Sequence, residues 1–99
     1  MKKSLILFFL IFILACRPYS KEAYLKDYEL FINEISLEEQ NYTEKDWKSI
    51  DSKFDKFNTI WYNDYSEDFS LTDKLTITKF HSQYLYYRGK AEIKGLFKK

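Results

Sequence analysis

Two residues of this chain, Cys16 and His81, have side chains that often take part in covalent or acid–base chemistry, and each type occurs once. A hydrolytic site needs a nucleophile with a base, a pair of carboxylates or a metal. His81 with a carboxylate such as Glu29 or Asp51 is the catalytic candidate, and a half-exposed histidine on a helix surface is the alternative. A zinc or iron site needs three or four suitable ligands. We therefore expect neither an enzyme nor a metal site.

Cys16 closes an apolar segment near the N-terminus, LILFFLIFILAC, which follows two lysines. Residues 5–15 are too few for a helix to cross roughly 30 Å of hydrocarbon, and a small residue before the cysteine suits signal cleavage. Residues 13–16, Ile-Leu-Ala-Cys, resemble the lipobox of bacterial lipoproteins. The resemblance implies cleavage before Cys16, a diacylglycerol on its thiol and an acyl chain such as palmitate on its amino group, and no other cofactor. An ordinary secretory signal and an uncleaved anchor are the alternatives.

The chain after the signal has the composition of one small folded domain. Apolar residues make up 45% of the sequence, with two Gly and one Pro, which argues against disorder. Its formal charge is −1 and is unevenly spread: residues 88–99 carry five basic residues against Glu92, and residues 16–87 carry nine basic against fourteen acidic residues. We expect a signal peptide over residues 1–15, an acylated cysteine and short tether over 16–20, a three-helix domain over 21–94 and a basic tail over 95–99.

Apolar residues recur at three- and four-residue spacing in three stretches, which predicts three amphipathic helices. The helices are expected over residues 20–38, over 44–65, and from 72 to between 88 and 94. Short connections make neighbouring helices antiparallel. The sequence therefore predicts an all-α fold, an up-down-up antiparallel three-helix bundle. The predicted core stripes comprise Leu25, Tyr28, Ile32 and Ile35; Trp47, Ile50, Phe54, Phe57, Trp61 and Tyr65; and Leu71, Leu75, Ile77, Phe80, Tyr84, Tyr87 and Ala91.

Capping residues mark the predicted starts of the second and third helices. Thr43 and Asp46 are spaced as a capping box. At the third start, either Ser70 with Asp73 forms the same motif or Thr72 caps alone. Lys53, on the second helix, is expected on the solvent side.

The sequence contains more apolar residues than one core stripe on each helix requires. Tyr62 and Tyr86 lie off the stripes, and residues 84–87 place apolar side chains on nearly every side of the third helix. Either the third helix is the central element, or an exposed patch meets a protein partner or a second copy. The patch would consist of Tyr62, Leu85, Tyr86 and Ile93. The basic tail, with Lys94, Lys98 and Lys99, either contacts anionic lipid or acidic glycan or is a solubilising terminus.

Together with the lipobox, the runs WKSIDSKFDKF at residues 47–57 and SLTD at 70–73 resemble small Bacteroidota lipoproteins that carry a helical domain of unknown function. The resemblance transfers no activity. We expect a non-enzymatic, lipid-anchored envelope protein that acts as a helical interaction or structural module, with no nucleic-acid partner. A glycan- or lipid-binding module that uses off-stripe aromatics and the tail is the alternative. An acidic run after the cysteine, which marks surface export in such lipoproteins, is missing. We therefore expect the outer membrane, on its periplasmic side.

Overall fold

The computed structural model describes residues 18–93, which are helical, with no strand in this range. The helices are α1 (Lys21–Glu38), α2 (Glu44–Asn58), α3 (Ile60–Tyr65) and α4 (Leu71–Ile93). Short 3-10 turns over Glu39–Asn41 and Ser66–Asp68 precede α2 and α4. The prediction of an all-α fold with three helical segments is confirmed, and the second segment consists of α2 and α3. The expected signal peptide over 1–15, the acylation site Cys16 and the tail residues Lys94, Lys98 and Lys99 lie outside the described residues.

Reciprocal side-chain hydrogen bonds define the starts of α2 and α4. Asp46 N donates to Thr43 Oγ1 at 3.1 Å, and Thr43 N donates to Asp46 Oδ2 at 2.9 Å. Ser70 and Asp73 form the same pair of bonds at 3.0 and 3.1 Å, so Ser70 and not Thr72 caps α4. Each cap satisfies a backbone donor that the first helical turn leaves without a partner, which contributes about 1 kcal/mol.

The predicted second helix is interrupted at Thr59, whose φ and ψ are −128° and −83°. Thr59 Oγ1 donates to Asp55 O at 2.8 Å, and Asn58 Nδ2 donates to Phe54 O at 2.8 Å. These side chains bond to carbonyl groups of the preceding turn, and such local bonds compete with the helical pattern. The helix ends at Asn58 and begins again at Ile60.

The core is built mainly from aromatic rings of all the helices. The rings of Tyr28 and Phe57 stack at 4.5 Å, and those of Phe54 and Tyr84 stack at 3.7 Å. Tyr24 buries its hydroxyl and donates from it to Phe57 O at 2.5 Å. The buried apolar residues are Tyr24, Tyr28, Phe31, Ile32, Ile35, Trp47, Ile50, Phe57, Trp61, Phe69, Ile77, Phe80, Tyr84 and Ala91.

Two ion pairs join the α1 region to α4, one at each end. Lys21 Nζ lies 3.0 Å from Asp73 Oδ2, which connects the first turns of α1 and α4. Lys90 Nζ lies 3.2 Å from Glu39 Oε2, which connects the turn after α1 to the last turns of α4. The two ion pairs therefore hold the α1 region against both ends of α4.

Two details of the predicted stripes are wrong. Leu71 and Leu75, assigned to the core, are 75% and 63% exposed. At 3.6 residues per turn, Leu75 lies about 200° around the helix from Ile77, on the side away from the core. Lys53, assigned to the solvent side, is only 4% exposed, because its position at the edge of the α2 stripe places it between α1 and α2.

Candidate interaction surface

His81 contacts the side-chain amide of Asn58 and the ring of Phe54. Neither of these partners is a carboxylate of the kind considered for catalysis. Its Nδ1 lies 3.1 Å from Asn58 Oδ1, and its ring is 5.1 Å from that of Phe54. Asn58 Nδ2 donates to Tyr28 Oη at 3.2 Å, which leaves Asn58 Oδ1 to accept from His81 Nδ1–H. Of the carboxylates considered for catalysis, Glu29 is exposed on α1. His81 therefore helps to hold the end of α2 against α4.

Asp51, the other candidate catalytic carboxylate, is bound by two residues of α4. Arg88 Nε lies 3.0 Å from both carboxylate oxygens, and Arg88 Nη2 lies 2.9 Å from Oδ2. The Tyr84 hydroxyl donates to Asp51 Oδ1. Burial, and then the bond to Asp51, raise the pKa of Tyr84 far above its usual range, so the phenol keeps its proton. The cluster joins the middle of α2 to α4.

Lys53 has a buried ammonium group between two aromatic rings. Its Nζ lies 5.6 Å from the centroid of Phe31 and 5.9 Å from that of Phe57, which allows cation–π attraction. Burial lowers the pKa of Lys53 to about 8, although Glu34 and Asp27 oppose the shift by attraction. Burial in turn raises the pKa of both carboxyl groups. Lys53 therefore remains charged at pH 7 in a place that disfavours its charge. Its spacing of three and four residues from Ile50 and Phe57 was the sequence signal for burial.

Lys90 lies over two tyrosine rings and binds Glu39, which is only 6% exposed. Its Nζ lies 4.9 Å from the ring centroid of Tyr86 and 5.3 Å from that of Tyr87. The hydrogen bond to Glu39 raises the pKa of Lys90. This arrangement neutralises the buried carboxylate near the end of α4.

The side of α4 that faces away from the core carries no charged residue over its whole length. Starting at Leu71, its members recur at three- and four-residue spacing, with Tyr86 directly after Leu85, and the large ones are more than half exposed. We call this set the outer α4 surface. It consists of Leu71, Leu75, Thr78, Ser82, Leu85, Tyr86, Gly89 and Ile93. Its exposed fractions are 75% for Leu71, 63% for Leu75, 53% for Leu85, 61% for Tyr86 and 87% for Ile93.

The solvent side of α2 has the opposite composition. Lys45, Lys48, Ser52 and Asp55 are exposed there at three- and four-residue spacing. Charged side chains of this kind are usual on the solvent side of an amphipathic helix. A large exposed apolar patch on a small protein, in contrast, often marks a contact site. The outer α4 surface is therefore the candidate interaction surface.

The structure brings together three of the four residues of the predicted patch. Leu85, Tyr86 and Ile93 all belong to the outer α4 surface, so the alternative in which the fold buries them does not hold within residues 18–93. Tyr62 is half-buried on α3, and its ring lies 5.2 Å from that of Phe69, just before α4. Sequence reasoning missed Leu71 and Leu75, which extend the surface to the start of the helix. The signal was their spacing, since Leu71 lies four residues before Leu75 and Leu75 lies three residues before Thr78.

Residues 18–93 contain no group of three or more His, Cys, Asp or Glu side chains arranged to hold a metal ion. Within the same residues, no helix combines the length and apolar character needed to cross a membrane.

A family model described as a domain of unknown function, DUF6565, matches residues 35–98, about two thirds of the chain. No curated protein and no solved structure matches the chain. The matched region contains α2, α3, α4 and the end of α1, and so includes the whole outer α4 surface.

Proposed function

The chain belongs to the DUF6565 family of domains of unknown function, and on that premise we propose that it is a non-enzymatic, lipid-anchored protein of the bacterial envelope that serves as a helical interaction module. The uncharged outer α4 surface is the observation that carries the interaction role, because five large apolar side chains are exposed along one helix. The segment that ends at Cys16 supports the anchor, through its likeness to a lipobox. The outer membrane, on its periplasmic side, is the proposed location.

The proposed architecture is an up-down-up bundle. Lys21 with Asp73 and Glu39 with Lys90 support the same direction for α1 and α4. Asp51 contacts Arg88 whereas Asn58, later on α2, contacts His81, earlier on α4, and this order supports an antiparallel α2. In such a bundle the starts of α1 and α4 lie at one end and the turn after α1 lies at the other.

The position of the tether supports a domain held close to the bilayer. Pro18 O accepts a hydrogen bond from Tyr65 Oη at 2.5 Å, so the first described residue is fixed to the folded domain. Pro18 is the second residue after Cys16, and an extended chain of two residue steps spans about 7 Å. Acylation of Cys16 would therefore keep the start of α1 next to the membrane surface.

The alternative of a glycan-binding module has one supporting observation. Tyr86 is 61% exposed, as a ring that stacks on a sugar must be, although Lys90 already lies 4.9 Å from its centroid. Tyr62, the second off-stripe aromatic, is half-buried against Phe69. One accessible ring is a small platform, so the interaction module is the better-supported function.

Metabolic labelling with an alkyne analogue of palmitate tests the anchor. The wild-type protein is expected to incorporate the label and to fractionate with membranes, because two or three acyl chains hold a protein stably. Cys16→Ser should abolish the label, and Tyr19→Ser, a change at a tether residue that is 88% exposed, should preserve it. A wild-type protein that takes up no label and whose Cys16 thiol reacts with maleimide would refute the anchor.

A further inference from the structure

We infer that the outer α4 surface lies on the lipid bilayer itself, so that the bundle rests on its side with α4 against an anionic membrane surface. The inference depends on the lipid anchor proposed above and specifies what the interaction surface contacts. Three features support it: the apolar composition of the surface, the charges around it, and the closeness of the first turn of α4 to the tether.

The composition is that of a helix lying in a membrane interface. Such helices place large apolar residues on one side and lysines beside them, and bury the apolar side at the boundary of headgroups and acyl chains. The outer α4 surface extends over 23 residues, about 34 Å. Its large residues occur at both ends and in the second half of the helix, so they can enter a flat boundary together.

Charge distinguishes α4 from the other described helices. It carries four basic and two acidic residues. By contrast, α1 carries two basic and five acidic residues, α2 carries four of each, and α3 carries one acidic residue and no basic one. Lys74 and Lys79 are exposed and border the outer α4 surface on opposite sides. Glu92, the acidic residue nearest to the surface, is paired with Arg88 at 3.4 Å. Basic side chains on both borders favour an anionic surface, which attracts lysines that lie near it.

The tether places the start of α4 near the bilayer. Pro18, two residues after Cys16, precedes Lys21 by three residues, and Lys21 Nζ lies 3.0 Å from Asp73 in the first turn of α4. Once Cys16 is acylated, contact between α4 and the membrane becomes an intramolecular step. A tether this short gives a high effective concentration, so even a weak contact is favoured.

A second copy of the chain fits the same surface less well. If two α4 helices paired in parallel along it, Lys74 of one copy would lie beside Lys79 of the other. In antiparallel pairing, Lys74 would lie beside Arg88 and Glu92, which are already paired with each other. The parallel arrangement brings like charges together, which opposes association, and in the antiparallel arrangement the acidic residue that Lys74 meets already has a basic partner.

Spin labels test the inference, because Cys16 is the only cysteine and acylation leaves an introduced cysteine as the sole free thiol. Leu75→Cys and Leu85→Cys probe the outer α4 surface, and Lys48→Cys, exposed on α2, is the control. Each acylated full-length variant is labelled with a nitroxide and reconstituted into vesicles that contain phosphatidylglycerol. Accessibility to oxygen and to a nickel chelate then gives the depth of each label. Labels at 75 and 85 should lie below the phosphates, and the label at 48 should remain in water.

Each other outcome has a definite meaning. Flotation with the vesicles but labels at 75 and 85 in water would overturn the inference and leave the anchor intact. Spin–spin broadening at 85 that grows with the protein-to-lipid ratio would show that a second copy covers the surface, and would also overturn it. Equal depth in pure phosphatidylcholine vesicles would overturn the requirement for anionic lipid. Failure of the wild-type protein to float would refute the anchor and the inference together.

Discussion

Helices α2 and α4 depart from the usual inside–outside pattern in opposite directions. In α2, Lys53 is buried with only 4% of its surface exposed. In α4, Leu71 and Ile93 are 75% and 87% exposed, and three other large apolar residues between them are more than half exposed. The first departure concerns one charge inside the domain, and the second concerns a whole helix side at its surface.

The two departures differ in what compensates them. Lys53 has partners within the domain, since two aromatic rings lie within 6 Å of its ammonium and two carboxylates attract it. The outer α4 surface is not covered by any other part of the described chain. The partners of Lys53 within the domain account for its burial, whereas the uncovered apolar surface of α4 supports the proposed contact outside the domain.

The largest effect is expected from adjacent substitutions on the two sides of α4. Tyr84→Ala removes a ring that is 2% exposed and stacks on Phe54, and it should lower the free energy of unfolding by about 3–5 kcal/mol. Leu85→Ala, at a side chain that is 53% exposed, should change it by less than about 0.5 kcal/mol. Urea unfolding monitored by tryptophan fluorescence measures both values. A loss at Leu85 as large as that at Tyr84 would show that both sides of α4 are buried, contrary to the comparison.

Replacement of the buried lysine should stabilise the domain. Because burial lowers the pKa of Lys53 from 10.5 to about 8, the charged form is disfavoured in the folded state relative to the unfolded state. At pH 7 Lys53→Met removes that penalty, and we expect the free energy of unfolding to increase by about 2–3 kcal/mol. Lys48→Met, at an exposed position of the same helix, should have almost no effect.

The dependence on pH gives this prediction a distinct signature. Between about pH 8 and pH 10.5, folded Lys53 loses its proton while the unfolded chain keeps it, so the stability of the wild-type protein rises with pH through this group. The advantage of Lys53→Met over the wild type should therefore shrink across that interval. An advantage that stays constant with pH would show that packing, and not the buried charge, accounts for the change.

Local signals predicted much of the fold because they depend on neighbours in sequence. The reciprocal bonds of Thr43 and Asp46 follow from their spacing. Tyr42 and Trp47 occupy the N′ and N4 positions of α2, where a hydrophobic staple forms, and their ring centroids are 5.3 Å apart. The break at Thr59 was not predicted, because the apolar spacing continues through it from Phe57 to Trp61.

The candidate site was predicted only in part, for a different physical reason. Residue type identifies Leu85 and Ile93 as apolar, but exposure depends on whether another helix covers that side of α4. Leu71 and Leu75 were assigned to the core because they are leucines near a core stripe. Lys53 was assigned to solvent because it is charged, although α1 covers it. Contacts between helices decide how exposed each of these residues is. The apolar spacing along one helix does not show which of its sides another helix covers.

Gly89 provides the smallest expected effect and the finest test of what the outer α4 surface contacts. Nothing lies within 4 Å of the position that a Cβ would occupy there, and the residue is inside the helix. Gly89→Ala should therefore increase the free energy of unfolding by about 0.5–1 kcal/mol through helix propensity alone. Ala91→Gly, at a residue that is 2% exposed on the core side, should decrease it by about 1 kcal/mol or more.

The same Gly89→Ala change separates a bilayer from a closely packed protein. A lipid boundary accommodates one added methyl group, so the depth of a spin label at position 85 should be unchanged in the variant. A helix packed against Gly89 would be displaced by the methyl group, because packed interfaces tolerate added volume poorly. A label at 85 that becomes more accessible to the nickel chelate on Gly89→Ala would therefore indicate a protein partner on this surface, and would contradict its contact with the membrane.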